Sequence, residues 1–182
     1  MNHKIMGFIG TGLVAAGFLL APAMAADESA EKSAIPPVTP EFVGWSAEKG
    51  TIKVLDETQK GPEGGRIIHV EGEASLTTLL QGFVPKQENT YTISFSFRRL
   101  SPGNGWAGCL QVFASEARQV LRPITYQKRY PDSSENWTKV TDTFKTPANA
   151  ESATLQIMTK PEAIIEVTDL KCTYVPAPAS YR

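Results

Sequence analysis

The chain predicts an all-β fold, an antiparallel β-sandwich or jelly roll of about nine or ten strands. One stretch carries most of that expectation. From Asn89 to Arg99, Tyr91, Ile93, Phe95 and Phe97 alternate with Thr92, Ser94, Ser96 and Arg98. A period of two places these sets on opposite faces of one strand. The aromatic and β-branched set suits a half-buried pleated surface near the middle of a sandwich. A second observation is that short alternating segments recur between clusters of Gly, Pro and Asn. A third is that no segment beyond the N-terminus has a sustained, capped 3.6-residue apolar repeat.

The N-terminus stands apart from the fold. A short basic start to Lys4, an apolar run from Ile5 to Leu20 and the small-x-small sequence Ala23-Met24-Ala25 form a signal peptide over residues 1–25. The apolar run is shorter than the ~20 residues of a spanning helix, and no stop-transfer segment follows. No cysteine lies near the cleavage point, which argues against a lipid anchor. The expected location is therefore secreted or periplasmic. Residues 26–40, rich in Ala, Ser, Glu and Pro, read as a flexible linker. Residues 41–175 form one domain large enough to bury a core, and residues 176–182 read as a frayed tail.

Along the domain, Phe42 to Trp45 begins the fold and Thr51 to Leu55 is a short strand. The glycine-rich loop from Gly61 to Gly65 leads into a strand from Arg66 to Glu71. Ala74 to Gln81 follows a tight turn, and Gly82 to Glu88 leads to the alternating strand at Asn89. Beyond the turn-rich Ser101 to Gly105, Trp106 to Ala114 returns as a strand. Gln119 to Tyr126 reads as a strand interrupted by Pro123, hence an edge or a bulge. Lys128 to Glu135 reads as a polar loop. Three more strands follow, over Trp137–Phe144, Ala153–Met158 and Ile164–Tyr174.

Charge and motif content remove several function classes. Without Lys4, 17 basic side chains stand against 19 acidic ones. With no basic stripe, nucleic acid is not an expected partner. His69 is the only histidine after the signal, which disfavours histidine-ligated zinc and nucleophile–histidine triads. There is no Gly-x-Ser-x-Gly, no His-Glu-x-x-His and no phosphate-cradling loop. The acidic residues Glu71, Glu73, Asp142 and Glu166 are scattered, so the chain is not read as an enzyme. Cys109 and Cys172 are the only cysteines. In an oxidising compartment they form either one disulfide or two buried thiols.

Four motifs then occur in a telling order. They are Gly44-Trp45, the strand-forming run from Val84 to Phe95, Trp137 to Ala150, and Ala153 to Leu170. Together they resemble the β-jelly-roll carbohydrate-binding modules attached to xylanases and cellulases, within the galactose-binding-like superfamily. The resemblance covers nearly all of Phe42 to Tyr174. It implies a non-catalytic module that recognises a polysaccharide or glycan. It also implies a structural calcium ion, for which Asp169 matches the final-strand acidic position. Near the N-terminus, Pro40-Glu41-Phe42 matches only loosely, and Asp169 reads equally as a strand-end carboxylate bonded to backbone amides.

Sugars are bound by stacking aromatic rings on their C–H faces and aiming amides and charged groups at their hydroxyls. Trp106, after the glycine-rich loop, is the leading aromatic candidate, with Tyr126 and Tyr130 beside it; a lid or packing role is the plain reading of each. Arg98, Gln111 and Arg122 would line one sheet face if their strands were neighbours, as the resemblance implies. Otherwise each is a solvated surface residue. Trp45 and Trp137 are expected in the core. The rival to a sugar-binding module is a structural or protein-interaction sandwich of the cell envelope or matrix, partnered by another protein.

Overall fold

The structure, a computed structural model, describes residues 30–102, 105–130 and 135–175. The expected signal peptide and tail lie outside the described residues. In chain order the strands are β1 (Lys32–Ser33), β2 (Ser46–Glu48), β3 (Thr51–Val54), β4 (Ile68–Glu71), β5 (Ser75–Leu79) and β6 (Thr90–Arg99). They continue as β7 (Gly108–Glu116), β8 (Gln119–Val120), β9 (Tyr126–Tyr130), β10 (Thr138–Lys145), β11 (Ser152–Thr159) and β12 (Ile164–Tyr174). Among the described residues there is no helix. Two antiparallel sheets pack face to face. The first has the order β10-β6-β12-β4-β3, with β1 also on β12; the second has the order β2-β5-β11-β7, with β8 and β9 on β7.

The alternation in β6 sets the inward face of the first sheet. Tyr91, Ile93 and Phe95 are fully buried and Phe97 nearly so. The register places Val140 opposite Phe95 and Phe144 opposite Tyr91 on one side. On the other side Val167 faces Phe97 and Cys172 faces Ile93. The second sheet answers with Leu76, Leu110, Val112, Leu155 and Ile157, all buried in the same core. Aromatic rings join the sheets along one side. Tyr130 of β9 packs on Phe97 at 5.0 Å and Tyr126 stacks on Phe144 at 5.3 Å. The Tyr126 hydroxyl donates to Asp142 Oδ2 of β10 at 2.8 Å, a hydrogen bond between the two sheets.

Two expectations change. The supposed linker is held from Lys32 onward. Lys32 and Ser33 pair with Tyr174 and Thr173, and Ala34 and Ile35 are buried, because this apolar pair covers core surface beside β12. Among the described residues the strands number twelve, because β1 is added and the segment around Pro123 is two strands on one edge of β7. There β8 lies opposite Ser115–Glu116 and β9 opposite Gly108–Val112. Proline has no N–H to give a ladder, so pairing stops between them. Strand β9 also takes in the start of the expected polar loop.

Of the two alternatives for the cysteines, the structure shows two buried thiols: both are free and buried. Cys172 belongs to the core between the sheets. Cys109 points the other way, out of the second sheet, where its thiol meets the Gln111 and Gln127 side chains at 3.8 and 3.7 Å. A sheet lies between the two sulfurs, so no bridge forms. Burial pushes the Cys172 thiol up to about 12 and also raises that of Cys109.

Burial likewise raises the hydroxyls of Tyr91, Tyr126 and Tyr130, with the Asp142 carboxylate adding to the effect at Tyr126. A group whose folded value is raised contributes stability below its unfolded value and loses it as pH climbs above that value. Stability should therefore decline as pH rises past about 10, the ordinary tyrosine value. Alkaline melting curves, with tyrosinate absorbance of the native protein, measure this. Three of the five tyrosines should titrate only on unfolding. Native protein should also leave both thiols unreactive toward an aromatic disulfide reagent, and a fast-reacting thiol would contradict the burial described.

Candidate functional site

The outward face of the second sheet is where polar side chains are brought together. In β7, Leu110 and Val112 point into the core and Gln111 and Phe113 away from it. In β11, Leu155 and Ile157 point in and Thr154, Gln156 and Met158 away. Register then aligns these outward sets across strands. Gln111 lies opposite Gln127 of β9 and Gln156 of β11. Gln156 lies opposite Thr77 of β5, which lies opposite Ser46 of β2. One row thus crosses five strands.

The three amides of this row hydrogen-bond in series. Gln127 Nε2 donates to Gln111 Oε1 at 3.0 Å, and Gln111 Nε2 donates to Gln156 Oε1 at 2.6 Å. Gln156 Nε2 then donates to Ser75 Oγ at 2.7 Å. Free glutamine side chains are flexible. Here each fixes its neighbour, so the ordering cost of a long polar side chain is met within the fold. Beside the amide row runs a more apolar one, with Phe113, Thr154 and Leu79 aligned by the same register. Leu79 is 64% exposed. Fixed polar groups next to an apolar strip suit a ligand with hydroxyls on its edges and C–H groups on its face.

Two parts of the face differ. At the β2 end a cleft of about 580 Å³ is lined by Pro36, Trp45, Ser46, Thr77, Leu79 and Thr154. The Trp45 ring packs partly against the core. Along the strands from the row, just before β7, stands Trp106, half-buried. The Arg129 guanidinium lies 5.5 Å from its ring centroid and the Lys160 ammonium 4.4 Å from it. The Lys160 amide donates to Ala107 O at 2.9 Å, which holds the lysine beside the start of β7. Arg99 fixes the loop before Trp106. It is nearly buried and donates to Ser101 Oγ, Gly105 O and Pro102 O.

Of the residues expected to form the site, Gln111 is at its centre and Trp106 at a corner. The others are elsewhere. Tyr126 faces inward and Tyr130 is fully buried against Phe97, because β9 runs on to Tyr130 and its alternation turns both rings into the sandwich. Arg122 is exposed in the connection between β8 and β9, outside any strand. Arg98 belongs to the first sheet, so it cannot share a face with Gln111. Gln127, Gln156, Thr77, Phe113, Arg129 and Lys160 were not singled out. Gln156 lies in a segment expected as a strand, but only the register shows what it meets.

Arg98 has a different task. Its Nη2 lies 2.6 Å from Glu166 Oε2, and Nε also donates to that oxygen at 2.7 Å. Glu166 is only 3% exposed, and His69 Nδ1 lies 3.3 Å from its other oxygen. Trp137 was expected in the core. Instead it lies on this outer face, with the Arg98 guanidinium 4.6 Å over its ring. The row Trp137, Arg98, Glu166, His69 therefore neutralises a buried carboxylate.

Asp169 does not fit calcium. A hard cation takes six to eight oxygen ligands. Asp169 accepts from the Gly65 amide at 2.8 Å and the Glu63 amide at 3.1 Å. Glu63 pairs with Lys139, and Lys171 is 3.8 Å away. Lys139 holds the Glu63 carboxyl below the usual carboxylate range. Ammonium groups thus neutralise the locality, and among the described residues no three His, Cys, Asp or Glu side chains converge on a metal position.

No family model and no curated protein matches the chain in sequence. Solved structures do match in fold. The chain is similar to the CBM22-1 xylan-binding domain of Paenibacillus barcinonensis Xyn10C, with TM-score 0.56 and 15% identity, over 82% of this chain and 95% of that one. It is similar to a family 22 xylan-binding domain with TM-score 0.53 and 16% identity, over 75% and 90%. It also matches the N-terminal modules of Clostridium thermocellum endo-1,4-β-D-xylanase 10B complexed with xylohexaose, with TM-score 0.55 and 18% identity. There the match covers 78% of this chain and 28% of that one. The fold is the jelly roll of these carbohydrate-binding modules.

Replacing Arg98 with alanine would leave the buried Glu166 without its main counter-charge and should cost about 3 kcal/mol of stability. Urea unfolding of Arg98→Ala against the parent chain measures that loss. An unchanged midpoint would mean that Glu166 does not depend on Arg98.

Proposed function

We propose that the protein is a secreted, non-catalytic carbohydrate-binding module whose polysaccharide lies across the outward face of the second sheet. The observation that carries this reading is the hydrogen-bonded glutamine row beside the strip of Phe113, Thr154 and Leu79. The fold it shares with xylan-binding modules supports it, and makes xylan the first polysaccharide to try. Neither aligned row carries a carboxylate, so they offer no acid–base pair for glycoside cleavage. Residues 1–25, with the features of a secretory signal, support export.

Five strands give four steps of about 4.8 Å, a row of about 19 Å. Affinity for oligosaccharides should accordingly rise with length and level off once the ligand spans that distance. Gln156→Ala removes the middle of the relay and should weaken binding about tenfold, the effect of roughly one net hydrogen bond. Arg98→Ala, on the other sheet, should bind as the parent does once its lower stability is allowed for. Affinity electrophoresis in gels containing soluble xylan, β-glucan or mannan, followed by calorimetry, tests these points. Equal affinities for the parent and Gln156→Ala would remove the amide row from the site. Absence of binding to every polysaccharide, with capture of a stable protein partner, would support the interaction-sandwich reading instead.

A further inference from the structure

We infer that the corner of this face around Trp106, between Arg129 of β9 and Lys160 after β11, is a subsite for an anionic sugar, a uronate, so that the polysaccharide bound is an acidic one. The inference rests on the sugar-binding reading above and adds the charge of the ligand to it. Three observations meet at Trp106. Two cations, Arg129 and Lys160, lie within 5.5 Å of one ring centroid. Neither has a carboxylate within 4.0 Å among the described residues. Arg129 is two residues along β9 from Gln127, and Lys160 follows β11, so both stand along the strands from the amide row, on the side where Trp106 precedes β7.

The hydrogen-bond direction along that row agrees. Arg129 Nε donates to Gln127 Oε1 at 3.4 Å, and from there every amide oxygen accepts from the preceding side chain. Gln111 Oε1 additionally takes the Cys109 thiol. The acceptors nearest Trp106 are thus engaged inside the protein. Among the described residues, what remains to be offered is donors: both Nη groups of Arg129 and the three ammonium protons of Lys160. A ligand group placed there must accept. A planar carboxylate matches the guanidinium fork and receives charge-assisted hydrogen bonds, while a neutral hydroxymethyl group leaves two neighbouring cations unneutralised. The ring of Trp106 between them supplies the apolar surface against which a pyranose carrying that carboxylate would rest.

The experiment uses the intact protein and one polysaccharide in two states: a uronate-bearing xylan, and the same xylan after its carboxyl groups are reduced to alcohols. Calorimetry is run on the parent chain, Arg129→Ala, Lys160→Ala and Lys53→Ala, the last removing an exposed positive charge from the first sheet. The parent should bind the acidic form about tenfold or more tightly than the reduced form. Each of Arg129→Ala and Lys160→Ala should lose about five- to tenfold on the acidic form and little on the reduced one. Lys53→Ala should behave as the parent. A sulfated xylan serves as a further arm; if it binds as tightly as the uronate form, the subsite reads charge rather than the carboxylate, and the uronate assignment is overturned. Equal binding of acidic and reduced xylan overturns the acidic subsite and leaves the sugar-binding face standing. Absence of binding to both overturns the two together.

Discussion

Strand β12 faces a geometric conflict whose resolution governs the first sheet. Val167 and Cys172 both point into the core, yet they are separated by an odd number of residues, which in a regular strand would put them on opposite faces. Against β6, Thr168 pairs with Ser96 and Lys171 with Ser94, so β12 takes three steps where its neighbour takes two. The extra residue is a β-bulge at Asp169, whose backbone is left-handed at φ 54. Such a conformation is costly for a residue with a side chain, and Asp169 offsets the cost with its own carboxylate, which holds the Gly65 and Glu63 amides. Gly65 must be glycine, because a Cβ there would sit 2.3 Å from Asp169 Oδ1. One side of the bulge then presents Glu166 to Arg98 and carries β4. The other side carries β1.

The two outer faces end up chemically unlike. On the first sheet the central row is ionic and closed upon itself, with Glu166 shared between Arg98 and His69 and the guanidinium covered by Trp137. A charged group buried in that way is satisfied by the fold and has little left for a ligand. On the second sheet the corresponding row is of neutral amides, which cost far less to leave beside water and keep capacity for partners. The difference follows from which side chains the register brings opposite one another.

Alternation within one strand was readable from the residues, and it is why the inward set of β6 and the outward placing of Gln111 hold in the structure. Alternation does not say which strand lies next. Arg98 and Gln111 are both outward, but pairing puts them on opposite sides of the molecule. Gln127 and Gln156 become notable only when they meet Gln111 through backbone pairing between distant segments. Tyr126 and Tyr130 were misplaced for a local reason. Pro123 ends one strand, and the next begins at Tyr126, so the turn-like Lys128 and Arg129 are strand residues and the tyrosines on either side of them face the core. The linker was misread because its composition is that of a tether, whereas Ala34 and Ile35 alone suffice to dock it.

The edges of the two sheets carry a consequence for how copies of this chain meet. An open sandwich leaves unpaired backbone groups along its outermost strands, and a strand from another molecule can add to them. Here every such border is short or charged. Strand β2 has three residues and carries Glu48, β3 has four and carries Lys53, and β10 displays Lys139 and Lys145. The border formed by β8 and β9 is broken at Pro123 and lined by Lys128 and Arg129. An approaching strand from a second copy that presents the same edge would bring like charges against it, and β10, the one long edge among those described, displays two lysines. The charged borders thus guard the chain against edge-to-edge aggregation.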